Sequence, residues 1–229
     1  MKSGIGIFMK EPIPGEVKTR LVGAIGAEDA ALLYEAFLRD TVEKVSHLQR
    51  HARCLAYWPA KARPFAERLA PHGFLLHAQE GRDLGARLTA FFDWFFAHGI
   101  ERAVVVGSDS PTLPTRLIEE ALDALYDVPA VLGPCYDGGY YLIGLSRLSP
   151  EVFRGVDWGS ERAFAQTMKG LRFAGMPFHA LDPWYDVDTP AALTFLRHHL
   201  DALAPCRNEV VPRFTVDVVR KLRVKDDET

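Results

Sequence analysis

Apolar and polar positions along this chain keep two rhythms in turn. Short runs rich in β-branched and aromatic residues at 5–9, 54–58, 74–77, 103–107, 130–133 and 140–145 predict buried strands. Between them lie stretches of helical spacing. The longest, about 28–48, carries Leu33, Phe37, Val42, Val45 and Leu48 on one face. Others run over 65–69, over a strongly apolar 84–96, from Pro114 to about Tyr126, over 160–169 and over 190–203. Ser160 is placed to cap one of these, and Thr189 another, with Pro190 at its first helical position. The alternation predicts an α/β doubly wound fold. Phe91, Phe92, Trp94, Phe95 and Phe96 share one helix, which suits core packing or, in part, a homodimer contact. Residues 1–229 read as a single domain without repeats, 205–229 being a C-terminal extension whose last residues, 225–229, form a solvated tail.

The run Val104-Val105-Val106-Gly107-Ser108-Asp109-Ser110-Pro111 is the most informative. In open parallel sheets, ligands bind beyond the carboxyl ends of the strands, so a carboxylate that follows a buried strand is delivered to the expected active edge. Three other segments share this grammar: Lys18-Thr19-Arg20 after the first strand, Asp137-Gly138-Gly139-Tyr140-Tyr141 before a middle strand, and Asp186-Val187-Asp188-Thr189-Pro190 near the end. Together they point to a nucleotide and metal site.

Composition narrows the partners. The 229 residues, 48% apolar, suffice for one sizeable core. With 27 basic and 30 acidic residues the net charge is −3, which offers no basic surface for a nucleic acid polymer. Cys54, Cys135 and Cys206 are far apart and form no CxxC pair, so neither a disulfide framework nor a thiolate zinc site is expected, and a cytoplasmic location fits. The N-terminal run is too short for a signal sequence and no stretch reaches membrane-spanning length, so no membrane partner is expected.

The loop from Lys10 to Leu21 places Lys18 and Arg20 just after a strand, where a compact cation and a planar guanidinium suit a diphosphate; Gly15 allows close backbone approach. No GxxxxGK[ST] loop is present. An ordinary solvated loop would look similar. Lys10, and Gly85 in the 79–87 segment, complete the expected nucleotide-binding set with Asp109. A diphosphate calls for a hard divalent cation, Mg²⁺ or Mn²⁺, with Asp109 and Asp188 as ligands; Asp186 and Asp188 share a face if 184–188 is extended. Each carboxylate could instead cap the helix that follows. Asp137 and Asp188 are the candidate catalytic carboxylates, Asp137 orienting a sugar hydroxyl or acting as general base. Gly138, Gly139, Tyr140 and Trp158 are candidate substrate contacts, although Asp-Gly is also a common tight turn and Trp158 an ordinary packing residue. His198 and His199 point apart on a helix and read as surface residues, and Cys135 as a small filler.

At these residues the chain resembles a known family. Phe8-Met9-Lys10 through Lys18-Thr19-Arg20-Leu21, Gly81-Arg82-Asp83-Leu84-Gly85, Gly107-Ser108-Asp109-Ser110-Pro111, Gly133-Pro134 with Asp137-Gly138-Gly139-Tyr140-Tyr141-Leu142-Ile143-Gly144, and Trp158-Gly159-Ser160 are similar to the bacterial GT-A-type glycosyltransferases known as nucleotide-diphospho-sugar transferases. Some relatives are linked to arsenosugar biosynthesis. The resemblance implies a Rossmann-like GT-A fold with a mixed, mostly parallel sheet and helices on both faces. It also implies a divalent metal, a nucleotide-diphospho-sugar donor and a small-molecule acceptor. Carried over, Lys18 and Arg20 hold the phosphates, Asp109 stands at the acidic metal position and Asp137 lies in the acceptor pocket. The 186–190 motif is similar to the closing motif of phospholactate and molybdenum-cofactor guanylyltransferases, so nucleotidyl transfer to a phosphorylated small molecule, with pyrophosphate release, is a second expectation. Asp109 lacks the second Asp of a DxD motif, and the first loop lacks the GGxxxRMG-like signature of many nucleotidyltransferases. A binding protein that kept the fold without the chemistry is a third reading.

Overall fold

In the computed structural model, which describes residues 2–203 and 211–222, strands and helices alternate as the apolar rhythm predicts. In order they are β1 (Ser3–Lys10), α1 (Val22–Ile25), α2 (Ala27–Ser46), β2 (Ala52–Trp58), α3 (Arg63–Leu69), β3 (Phe74–Ala78), α4 (Leu84–Ala97) and β4 (Arg102–Val106). Then come α5 (Thr115–Ala124), β5 (Ala130–Pro134), β6 (Tyr140–Leu145), α6 (Ala163–Phe173), β7 (Phe178–Ala180), α7 (Pro190–Leu203) and α8 (Arg213–Val219). The seven strands form one sheet in the order β3-β2-β1-β4-β6-β5-β7. β6 runs antiparallel to β4 and β5, and every other pairing is parallel. The expected mixed, mostly parallel sheet is therefore present.

The one reversed strand shapes the site. Because β6 enters the sheet where β4 and β5 end, its entry turn at 135–139 stands beside the segment after β4. Backbone hydrogen bonds lace the two to each other and to the extended segment after β7: Gly107 N–H donates to Tyr141 at 2.9 Å, Trp184 N–H to Pro134 at 3.0 Å, and Val187 N–H to Asp109 at 2.9 Å. All four motif segments thus meet on one edge.

β1 explains how the core closes around that edge. Ile5, Ile7 and Met9 face one layer with α2 and α5, whereas Gly4, Gly6 and Phe8 face α4. A Cβ on Gly6 would lie 2.4 Å from the Phe91 ring and one on Gly4 2.7 Å from Phe95. The glycines thus leave the space that two aromatic rings fill. Phe91, Phe92 and Phe95 are fully buried, each contributing about 1.5–3 kcal/mol of transfer free energy. The aromatic helix is therefore a core helix. A third cluster joins Leu33 and Phe37 of α2 to Leu193, Leu196 and Leu200 of α7 and Val219 of α8.

Two expectations need correction. Ser160 does not cap α6: the helix begins at Ala163 after an uncapped Arg162, and the Ser160 hydroxyl donates instead to the Asp157 carbonyl at 2.7 Å. His199 is half-buried, its ring paired with the Tyr185 hydroxyl at 2.8 Å, because the aromatic 184–185 segment folds back onto α7. β7 and α8 were absent from the pattern, being three and seven residues long. Cys206 and the 225–229 tail lie outside the described residues. No helix among the described residues is long and apolar enough to cross a membrane.

Candidate active site

Lys18 stands at the centre of the edge, and its backbone is unusual. It has φ 47°, the sole positive φ of a non-glycine residue among the described residues, a conformation that costs an L-residue energy and tends to cluster at functional sites. That geometry turns its side chain inward from an exposed loop. The Lys18 Nζ sits 2.5 Å from Asp109 Oδ1 and 2.6 Å from Asp188 Oδ1. Its side chain is 2% exposed, while those carboxylates are 45% and 38% exposed, so the ammonium seals the floor and the carboxylates keep a side open to ligand. Burial alone would push the ammonium down; the two carboxylates outweigh it and raise Lys18 above its ordinary value.

Helix α2 supplies the rest of the floor. The Tyr34 and Phe37 rings lie 5.8 and 5.3 Å from Lys18 Nζ. The Tyr34 hydroxyl accepts from the Lys10 N–H and pairs with the Ser108 hydroxyl, both at 3.0 Å, tying the end of β1 to the end of β4. Burial, then the charge of Asp109, pushes Tyr34 up to about 12. Sequence reasoning missed Tyr34 because it falls in the apolar stripe of α2. A polar hydroxyl at the helix turn facing two strand ends was the signal.

Above this floor is a cavity of about 470 Å³ lined by Lys10, Lys18, Thr19, Arg20, Asp109, Gly159 and Asp188, among others. Lys10 and Arg20 are exposed and make no ion pair among the described residues. Asp109 and Asp188 are not helix caps: α5 starts only at Thr115, and it is the Thr189 hydroxyl that accepts from Ala192 N–H at the start of α7, at 3.2 Å.

A second carboxylate pair lies in the same crevice. Cys135 Sγ and carboxylate oxygens of Asp137 and Asp186 lie within 4.8 Å of one another. Asp186 is pushed up to about 7, by burial first and then by Asp137 and Asp188. Burial likewise raises the Cys135 thiol, keeping it protonated. Among the described residues no basic side chain pairs with Asp137 or Asp186. The exposed Asp137 also accepts from Gly139 N–H at 2.8 Å, which fixes the turn.

The glycines and aromatics divide differently from expectation. Gly15 (φ 80°) is exposed, with nothing near its missing Cβ, and lies outside the cavity lining. Gly85 is buried, and a Cβ there would be 2.9 Å from the Trp158 indole, so its smallness seats Trp158 on α4. A Cβ on Gly138 would meet the Glu161 carbonyl at 2.0 Å, and φ 85° adds to the demand for glycine. Tyr140 turns into the core edge-on to Trp158 at 6.3 Å, its hydroxyl buried. Trp158 and the glycines thus hold the 157–162 loop, whose Gly159 reaches the cavity. Arg82 is exposed and only loosely pairs with Asp83, at 3.6 Å.

With this geometry in view, the relatives can be named. A family described as "Uncharacterized protein conserved in bacteria (DUF2064)" matches residues 41–160. A crystal structure from Desulfovibrio desulfuricans G20, provisionally assigned as a nucleotide-diphospho-sugar transferase, is 33% identical over 96% of this chain and 98% of that one, with a TM-score of 0.85. The chain belongs to this family. Members of wider groups share the fold: a CMP:2-keto-3-deoxy-manno-octonic acid synthetase complexed with CTP (14% identity, 88% and 99% of the two chains, TM-score 0.55), and a 4-diphosphocytidyl-2C-methyl-D-erythritol synthase from Anaerococcus prevotii DSM 20548 (10%, 87% and 99%, 0.57). No curated protein matches the chain.

Proposed function

We propose that this family member is a transferase that moves a sugar from a nucleotide-diphospho-sugar to a small acceptor. The observation that carries the reading is the Lys18–Asp109–Asp188 cluster at the carboxyl edge of the sheet, inside a cavity that also presents Lys10 and Arg20. The donor set fits a divalent ion. Asp109 and Asp188 each spend Oδ1 on the Lys18 ammonium but stay 45% and 38% exposed, so the sides turned away from Lys18 are free for a hard cation, which takes carboxylate oxygens. Asp109 and Asp188 would hold Mg²⁺ or Mn²⁺, which when bound supplies charge neutralisation to the leaving diphosphate.

The chain's own residues do the rest. Lys10 and Arg20 bind the diphosphate, and Lys18 holds the two carboxylates in register. Charge builds on the diphosphate as the sugar departs, so fixed cations there stabilise the transition state more than the ground state. Asp137, exposed and without an ion pair among the described residues, takes the proton of the acceptor hydroxyl, with Asp186 beside it. The fold likeness to two cytidylyl-transferring enzymes, with the lack of a second Asp two residues after Asp109, favours a second reading: nucleotidyl transfer.

The leaving group separates the two. With purified enzyme, glycosyl transfer releases a nucleoside diphosphate and nucleotidyl transfer releases pyrophosphate. Asp109→Asn should lower turnover by about 10²–10³-fold with the fold intact by circular dichroism. Near-normal turnover in that variant would exclude the assigned role of Asp109.

A further inference from the structure

Beside the acidic cluster is a second cavity, of about 510 Å³, lined by Tyr136, Pro183, Trp184, Tyr185, Ala192, Phe195 and His199. Tyr136 is 75% exposed and Phe195 54%, large apolar surfaces for a monomer to leave in water side by side. The inner wall is rigid. Trp184 Nε1–H donates to the Thr112 hydroxyl at 3.2 Å, Thr112 donates to the Tyr185 hydroxyl at 2.8 Å, and Tyr185 pairs with His199 Nδ1 at 2.8 Å. Trp184 and Tyr185 stack at 6.0 Å, with Phe195 edge-on to Tyr185 at 4.8 Å. The polar atoms of Trp184 and Tyr185 are thus spent on Thr112 and His199, and the cup is lined mainly by aromatic and apolar side chains.

We infer that this cup is the acceptor subsite and that it takes an uncharged molecule with a flat apolar ring face, such as an aryl or sugar ring. The acceptor assignment rests on the transferase reading above; the ring preference rests on the cup alone. Three observations support it. The lining carries no Lys or Arg, while Tyr136 and Tyr185 are followed in the chain by Asp137 and Asp186, so the charges next along the chain are negative and the lining offers an anion no cation. Aromatic rings already fixed by hydrogen bonds favour the packing of a further ring at little entropic cost. Tyr185 is three residues from Asp188, about 10 Å at full extension, so a molecule in the cup has one end within reach of the carboxylate crevice. A phosphorylated acceptor is disfavoured by the same charges, which sets this chain against nucleotidyl transfer to a phosphate.

The test is binding without nucleotide or metal. The full chain is titrated with phenyl β-glucoside and with phenyl phosphate, read by ligand-detected saturation-transfer NMR and by tryptophan fluorescence with Trp184→Phe as reference. Phenyl β-glucoside should bind at least tenfold more tightly than phenyl phosphate. Tyr136→Ala and Phe195→Ala, at exposed positions, should weaken it at least tenfold while leaving the melting temperature near that of the parent. Equal or tighter binding of phenyl phosphate, or unchanged binding in both variants, overturns the inference. Nucleotide binding is measured separately: a chain that binds nucleotide but no ring loses only the cup, and one that binds the ring but no nucleotide loses only the donor site.

Discussion

Two lysines are buried among the described residues, and they are held in opposite ways. Lys18, between Asp109 and Asp188, is raised above its ordinary value by their charge. Lys44, on α2, donates instead to the carbonyls of Pro111, at 3.1 Å, and Leu113, and burial pushes it down to about 8 despite Asp40 nearby. Carbonyl dipoles satisfy hydrogen bonds without supplying charge, so the Lys44 ammonium stays expensive to bury. Lys44 fastens the loop that follows Asp109 to helix α2 and so positions the site from behind. Lys18 lies in the site itself, neutralising carboxylates that remain partly open. The contrast separates a lysine that builds the scaffold from one that the proposed function places at the ligand.

The widest gap between them should appear in turnover. Lys18→Met should cost about 10²–10³-fold in kcat, since it removes a preorganised cation from two facing carboxylates. Lys44→Met, which loosens that loop only from behind, should cost less than about tenfold, and equal losses in steady-state assays would erase the distinction. Next comes the pH dependence of stability. Lys44 titrates at about 8 when folded and near 10.5 when unfolded, so between these values the unfolded chain holds more protons and stability rises with pH. The wild type should therefore gain up to about 3 kcal/mol on Lys44→Met between pH 8 and 10.5, measured by urea melts at each pH. A flat difference would mean that Lys44 is not buried as a charge. The smallest effect concerns the partner of Lys44. The Asp40 carboxylate accepts from Phe214 N–H at 3.1 Å and from the Thr215 N–H and hydroxyl at 2.8 and 2.6 Å, docking α8 on α2. Asp40→Asn should destabilise by about 1–2 kcal/mol in the same melts, because an amide cannot accept all three bonds. It should also move the Lys44 titration further down.

Much of this was legible in the chain. The β-branched runs gave the strands, and Asp109 at the end of β4 gave the edge, because a buried strand that stops at a carboxylate leaves it little choice of position. The direction of β6 was not legible: Tyr140–Leu145 reads the same whichever way it enters the sheet. Nor was the partner of Lys18. Spacing places Lys18 and Arg20 in one loop, but the left-handed backbone at Lys18 separates them, burying one and exposing the other. Gly85 and Gly138 looked like ligand contacts and prove to be seats for Trp158 and the Glu161 backbone, a distinction that only a packed neighbour reveals. Tyr34 was hidden in its own helix stripe.

On the proposed function, the Lys18–Asp109–Asp188 edge binds a nucleotide-diphospho-sugar with a divalent ion. Its most direct test is a thermal-shift screen against UDP, GDP, CDP, their sugar conjugates, GTP and CTP, with and without Mn²⁺ or Mg²⁺, on wild type and Asp109→Asn. At about a hundred times Kd a ligand adds roughly 2.7 kcal/mol, or several degrees. The expected result is a metal-dependent rise with one diphospho-sugar that Asp109→Asn abolishes. No rise with any nucleotide, or one that survives Asp109→Asn undiminished, would contradict it.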